Sequence, residues 1–503
     1  MKKDILANYV GQFWSAIMNV AFIPIYIAQI GLESFGLIGV LATLQASFAL
    51  LDLGMTPLLG RETARYLSGA HSADSIRRLL RSVEVIIGLL AAFIAVMIYA
   101  VAGRIADQWL GPTTFTSSSI AVLLTMMGAI VGVRLVEMLY RSALMGLHQQ
   151  VGLNIGVVLT STLRGLGCVG VLVFISPTIY GYLIWQLVCS VFAAALFCFM
   201  TYQSLPQSSQ WTTFSIAAIK NVWRFAAGMT AISAAAVLMT QADKIILSKL
   251  LSLADFGTYT LATIVAGIPQ MLAAPVVQAL QPRLTKQLAA ADEIAFKASF
   301  HIGAQIVSAL VGSASIVLIF FSREILAIWF QNESVGLAAA ALVSILAAGN
   351  LLNGLVLMPY ISQLAYGWTS LSVRWSLISV AVQVPLLLYI APRYGAIGAA
   401  WIWVILNMAC VLTVAVVMFR RILRTEQRSW LLTDLARPLL AALCIAAIAK
   451  WLAPTGVSYY ANFAFLIMIS AAVLLSAAVA SPTILAMLRR FQLHEGLFRD
   501  PVI

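Results

Sequence analysis

The chain has 503 residues, 62% of them hydrophobic and only 10% charged. Soluble domains carry roughly a quarter charged residues, so this composition cannot build a water-facing surface and excludes a soluble fold. The formal net charge of +12 falls in short loops between apolar runs, where membrane proteins collect Lys and Arg. No basic module with interleaved aromatics points to nucleic acid.

Apolar runs of about twenty residues, long enough to cross a bilayer core, recur along the whole chain. The first spans 5–28; it is too long for a signal-peptide core, and no A-x-A site closes it. Further helices are predicted at 36–59, 80–103, 119–145, 152–175, 179–202 and 222–247. The series continues at 257–281, 299–321, 335–359, 371–391, 395–419, 438–453 and 461–488. The expected fold is an all-α polytopic membrane protein of about fourteen spans. Cys168, Cys189, Cys198, Cys410 and Cys444 lie inside apolar runs and read as free thiols acting as small apolar residues.

Charge gives the orientation. The connection after the second helix carries Arg61, Arg65, Arg77, Arg78 and Arg81; the one after the twelfth carries Arg420, Arg421, Arg424, Arg428 and Arg437. Arg283, Lys286 and Lys297 follow the eighth helix, and Arg489, Arg490 and Arg499 the last. The alternate connections hold isolated charges such as Arg104, Lys249 and Arg323. The bias puts both termini in the cytoplasm.

A short echo suggests an internal repeat. Gly31-Leu32-Glu33-Ser34-Phe35-Gly36 is matched by Ser252-Leu253-Ala254-Asp255-Phe256-Gly257, and Ile179-Tyr180-Gly181 by Ala396-Ile397-Gly398. The shared offset, roughly 220 residues, implies two six-helix lobes related by an axis along the membrane normal. The expected domains are 1–210, 211–430 and a helix pair with tail at 431–503.

Several stretches resemble a known family. They are the Gly31–Gly36 turn with the helix ending in Leu51-Asp52-Leu53-Gly54 and the basic loop from Arg61, the run Gln241-Ala242-Asp243-Lys244-Ile245-Ile246-Leu247, and Tyr394-Gly395-Ala396-Ile397-Gly398-Ala399-Ala400. Together with length, helix number and repeat, they resemble the Wzx-type polysaccharide-lipid flippases, in the superfamily that also holds the MATE exporters and MurJ-type lipid II flippases. The resemblance implies a V-shaped pair of lobes and alternating access. The implied activity moves an undecaprenyl-diphosphate-linked oligosaccharide, such as an O-antigen unit for lipopolysaccharide, across the bacterial inner membrane. It also implies a polysaccharide polymerase and a chain-length regulator as partners, H+ or Na+ as coupling ion, and no cofactor.

Charges within the spans are the candidate site, because an arginine at mid-membrane costs about 2.5–3.5 kcal/mol on insertion scales and needs a partner, a wet cavity or a ligand. Arg134, Glu137 and Arg141 share one face of the fourth helix, and Arg164 sits mid-way along the fifth. Guanidinium groups there suit a diphosphate, which they can bind through paired hydrogen bonds while staying charged. The alternative is a structural Arg134–Glu137 pair with Arg141 reaching to the interface. Lys244 is expected in the second lobe's cavity wall. Asp243 and Asp52 are the candidates for ion coupling, or else helix-end and packing residues. Amides at Asn8, Gln12, Asn19, Gln45, Gln241, Asn350 and Asn353, and indoles at Trp14, Trp185, Trp401 and Trp403, could meet sugars, although interhelical hydrogen bonds and interfacial anchoring explain them too.

Enzyme signatures are absent: there is no P-loop, the four histidines are scattered, and no large extramembrane loop resembles that of a membrane transferase. Two rival readings remain, a MATE-like exporter of cations and a membrane transferase or polymerase acting on lipid-linked sugars. The first should place carboxylates, not arginines, in its cavity.

Overall fold

The structure, a computed structural model, describes residues 2–48, 52, 54–69, 71–109, 114–205, 214–215, 223–330, 333–453 and 459–486. The tail arginines Arg489, Arg490 and Arg499, together with His494, Leu51 and Leu53, lie outside these residues. The described residues form helices and no strands. In chain order the helices are α1 (Lys2–Val20), α2 (Ile23–Phe48), α3 (Met55–Leu67), α4 (Ala73–Gln108), α5 (Ser117–Gly146), α6 (Gln150–Phe174), α7 (Ile179–Ser204), α8 (Trp223–Leu250) and α9 (Leu253–Ala289). They continue as α10 (Glu293–Phe330), α11 (Glu333–Leu355), α12 (Leu357–Ala365), α13 (Ser370–Arg421), α14 (Gln427–Trp451) and α15 (Tyr459–Ala480). Among the described residues, 11 helical segments are long and apolar enough to cross a membrane. Helices α1 and α8 are not among them, and α13 counts once although it covers two expected spans.

Local chemistry sets the boundaries. The hydroxyls of Ser72, Thr116 and Thr178 accept from the amides of Ser75, Ser119 and Gly181 and cap α4, α5 and α7. With 36 residues, α4 is about 54 Å long at 1.5 Å per residue, well beyond a bilayer core, so its first turns carry Arg77, Arg78 and Arg81 past the apolar region. Helices α2 and α13 bend at Gly31 (φ 80°) and Gly395 (φ 57°), backbone states that L side chains rarely adopt. The bend at Gly395 separates the two expected spans that α13 joins.

The expected span 36–59 is not one continuous helix: α3 starts afresh at Met55 behind Gly54, itself left-handed at φ 69°. Asp52 stands just before this start.

The chain divides into two compact units, Met1–Gly257 and Thr258–Ile503. In the first, α5 packs against α4 and α7, and α1 against α6. Small residues permit this closeness: a Cβ on Gly132 would stand 2.9 Å from the carbonyl oxygen of Ala91, and one on Gly128 3.0 Å from Ile98. Gly128 and Gly132, one turn apart on α5, therefore mark a helix crossing. Apolar side chains on the outside remain exposed, Phe174 by 85%, as lipid-facing positions should be.

In the second unit, Phe296, Phe300, Met358, Phe419 and Trp430 build one core. Helices α14 and α15 pack through Ala442, Ala446 and Val473 onto Ile316 and Phe321 of α10. Three π-helical turns, Ser308–Gly312, Val411–Ala415 and Trp430–Ala436, interrupt the helices around these cores. A polar tie joins the elements: His301 Nδ1 lies 2.5 Å from Asp434, its Nε2 3.2 Å from Glu426, and Gln305 donates to Asp434 at 2.8 Å. Burial pushes the Glu426 carboxyl up, but the Thr425 hydroxyl, His301 and Lys297 outweigh it and hold it below the usual range.

Candidate functional site

The first unit places the expected arginines around a cavity of about 180 Å³, lined by Gln45, Arg134, Glu137, Arg141 and Arg164 with Phe48, Val131, Leu135 and Met138. The positions follow from the helices. Arg134, Glu137 and Arg141 share one face of α5 at spacings of three and four residues. Arg164 reaches in from α6 and Gln45 from α2.

Arg134 is held by neutral acceptors on two other helices. Its Nη1 donates to Gln45 Oε1 at 2.7 Å, its Nη2 to Gln186 Oε1 at 2.7 Å and its Nε to Ser190 Oγ at 3.2 Å. Gln186 and Ser190 are buried on α7, 5% and 0% exposed. Among the described residues no carboxylate neutralises this guanidinium directly; oriented amide and hydroxyl dipoles satisfy its donors instead.

The Arg134–Glu137 pair of the alternative reading does not form. Glu137, 3% exposed, pairs with Arg164 Nη2 at 2.5 Å and lies 3.6 Å from Arg141 Nη1. The i,i+3 spacing allowed the Arg134 contact, but the glutamines drew Arg134 to α2 and α7, and Arg164 took the carboxylate. Arg141 also stands over the Phe197 ring, 5.8 Å from its centroid. The lining thus holds three guanidiniums and one carboxylate. Two of its buried donors, Arg164 Nε and Gln45 Nε2, have no hydrogen-bond partner. A buried donor without an acceptor costs about 1–3 kcal/mol, so the wall is built short of acceptors.

Lys244, Asp243 and Asp52 are not in this lining. Lys244 Nζ contacts both carboxylate oxygens of Asp243 at 3.3 Å and donates to the Thr240 carbonyl at 2.9 Å. Asp52 accepts from the Thr56 amide at 3.0 Å and from its hydroxyl at 2.8 Å, which makes it a cap on α3.

Most of the other singled-out polar groups join helices. Asn154 donates to Asn8 at 2.5 Å, Trp14 to Thr162 at 2.8 Å and Trp185 to the Leu163 carbonyl at 2.9 Å. Trp403 donates to Asn350 and Asn353 to Asn407, each at 2.9 Å. Gln186 and Ser190 are absent from the residues that the sequence pattern singles out. A signal for them exists: a glutamine and a serine four residues apart in an otherwise apolar helix.

The family model described as "Polysaccharide biosynthesis protein" matches residues 1–288. No curated protein sequence matches the chain. Among solved structures, "Lipid II flippase MurJ, inward closed conformation" is similar with a TM-score of 0.71 and 13% identity, over 98% of this chain and 100% of its own. An inward-facing multidrug resistance MATE family transporter of the MOP superfamily follows at TM-score 0.68 and 13% identity, over 82% and 96%. The MATE multidrug transporter DinF-BH gives 0.59 at 17% identity, over 84% and 95%. At these identities the likeness establishes the fold, a multi-pass helical membrane architecture of the MurJ and MATE type.

Proposed function

The chain belongs to the polysaccharide biosynthesis protein family, and from that premise we propose that it is a flippase for lipid-diphosphate-linked oligosaccharides. The substrate is an undecaprenyl-diphosphate-linked repeat unit, of an O-antigen or a related surface polysaccharide. It passes by alternating access from the cytoplasmic to the periplasmic leaflet of a bacterial inner membrane.

The observation that carries this reading is the cavity wall of Arg134, Arg141 and Arg164 with Glu137 as its one carboxylate. Fully ionised, these four groups leave a surplus of positive charge where hydrocarbon surrounds the protein, a condition that calls for an anion. The orphan donors Arg164 Nε and Gln45 Nε2 ask for acceptors, and a diphosphate supplies only acceptors. Arginine suits the task because its fork matches phosphate oxygens and stays charged at physiological pH. An organic cation would meet repulsion at the same wall. Binding and release change the substrate's leaflet and not its mass, so no catalytic group is required.

The test uses proteoliposomes with a fluorescent diphosphate-linked sugar lipid in the inner leaflet. Its accessibility to an external quencher or glycosidase should rise with the protein present, with lipid mass unchanged. A protein-dependent change in lipid mass would replace this reading with a transferase; transport of an organic cation but not of the sugar lipid would replace it with a cation exporter.

A further inference from the structure

We infer that Glu137 is a resident counter-anion, holding Arg164 and Arg141 until the phosphates of the substrate take them over. The inference rests on the flippase reading and assigns Glu137 a role in substrate release.

The cavity has two kinds of arginine. Arg134 is fixed by Gln45, Gln186 and Ser190, neutral acceptors on α2 and α7. These orient the guanidinium and leave its charge uncompensated. Arg164 and Arg141 instead share the carboxylate of Glu137. An anionic ligand competes with a carboxylate for the same charge, whereas it merely adds to an amide's contact.

The geometry favours exchange. Phosphate engages arginine best through two parallel N–H donors. Arg164 offers such an edge in Nη2 and Nε. Glu137 occupies the Nη2 half at 2.5 Å, and the buried Nε has no partner. The carboxylate is therefore singly bound to an edge that a phosphate can grip twice. Its second arginine, Arg141, is 3.6 Å away, an ion-pair contact without a tight hydrogen bond. Glu137 itself lines the cavity, so the exchange happens at the wall and needs no rearrangement of the helices.

The consequence is a trade between grip and release. With Glu137 ionised, an incoming diphosphate must displace it, and the returning carboxylate later helps expel the phosphate. Without that charge the site should hold an anion more tightly and let it go more slowly.

The experiment measures binding of farnesyl diphosphate to the full-length protein in detergent at pH 8 and fixed ionic strength, with farnesyl phosphocholine as control. Glu137→Gln should bind the diphosphate about tenfold more tightly, and the gain should vanish when Arg164→Gln is added. Reconstituted E137Q should flip more slowly although it binds better. Equal or weaker binding by E137Q, or a gain that survives the loss of Arg164, overturns the inference and leaves the flippase reading standing. Failure of the wild-type protein to prefer the diphosphate overturns both. If E137Q does not fold, Glu137→Asp, which withdraws the carboxylate by one methylene, should give a smaller gain in the same direction; its absence overturns the inference.

Discussion

Gly36 and Gly257 meet at a backbone contact between the two copies of the repeated turn. A Cβ on Gly36 would collide with the carbonyl oxygen of Leu253, and a Cβ on Gly257 with that of Leu32. The partners are equivalent: the spacing from Leu32 to Leu253 equals that from Gly36 to Gly257. Each turn thus sets its glycine against the backbone of the other. The sequence echo that suggests a repeat is also the point where its copies touch.

Gly36→Val and Gly257→Val should each lower stability by about 1–3 kcal/mol, the usual cost of forcing volume into close packing. Because either substitution separates the same pair of backbones, the double variant should cost clearly less than the sum. Thermal unfolding of the four proteins in detergent checks this; strict additivity would mean that the two glycines do not share one contact.

Arg164→Ala should abolish surface polysaccharide in the host while the protein still inserts at its normal level, because the Glu137 carboxylate would lose its close partner and the phosphate edge would be gone. Arg164→Lys should restore part of the export, since an ammonium can neutralise Glu137 but cannot form the paired contact. The readout is surface polysaccharide normalised to membrane protein. Full export by the alanine variant would remove Arg164 from the site.

Gln186→Leu should weaken both stability and transport. It strips Arg134 Nη2 of its acceptor, leaving a donor unsatisfied at a cost of about 1–3 kcal/mol, and frees the guanidinium to turn. A melting temperature and a flipping rate equal to wild type would show that Gln45 and Ser190 position Arg134 unaided.

Asp52→Asn should keep transport close to wild type, because the amide oxygen can still accept from Thr56. Asp52→Ala should lose about 1 kcal/mol, the usual value of a helix cap. The comparison separates a cap from a proton or cation site: were Asp52 the coupling group, the asparagine variant would stall with its fold intact. Flipping assays with and without an imposed ion gradient make the distinction.

The helices are legible in the sequence because length and apolarity alone decide which segments cross a bilayer. The fresh start of α3 behind Gly54 is not. Leu51-Asp52-Leu53-Gly54 reads as a helix carrying one acid, and only the left-handed Gly54 with the Asp52–Thr56 cap ends it. Within the site, α5 shows its charged face at once through the spacing of Arg134, Glu137 and Arg141. The partners are hidden, because helical spacing reports neighbours on one helix and not those supplied by α2, α6 and α7. The pattern therefore pairs Arg134 with Glu137, whereas its acceptors are Gln45, Gln186 and Ser190. Lys244 and Asp243, adjacent in sequence and about 100° apart on a helix, still meet, because a lysine stem is long enough to turn back along the helix surface.

The π-helical turns at 308–312, 411–415 and 430–436 carry a consequence for inheritance. Such a turn lodges one surplus residue in an α-helix without rotating the flanks. Removing a residue inside it closes the bulge and leaves both flanks facing as before. A single deletion in α5 between Arg134 and Glu137 would instead turn Arg134 by about 100° relative to Glu137 and Arg141 and take it off their common face. The second unit can therefore lose a single codon at these places, while the helix that bears the arginines has no such slack.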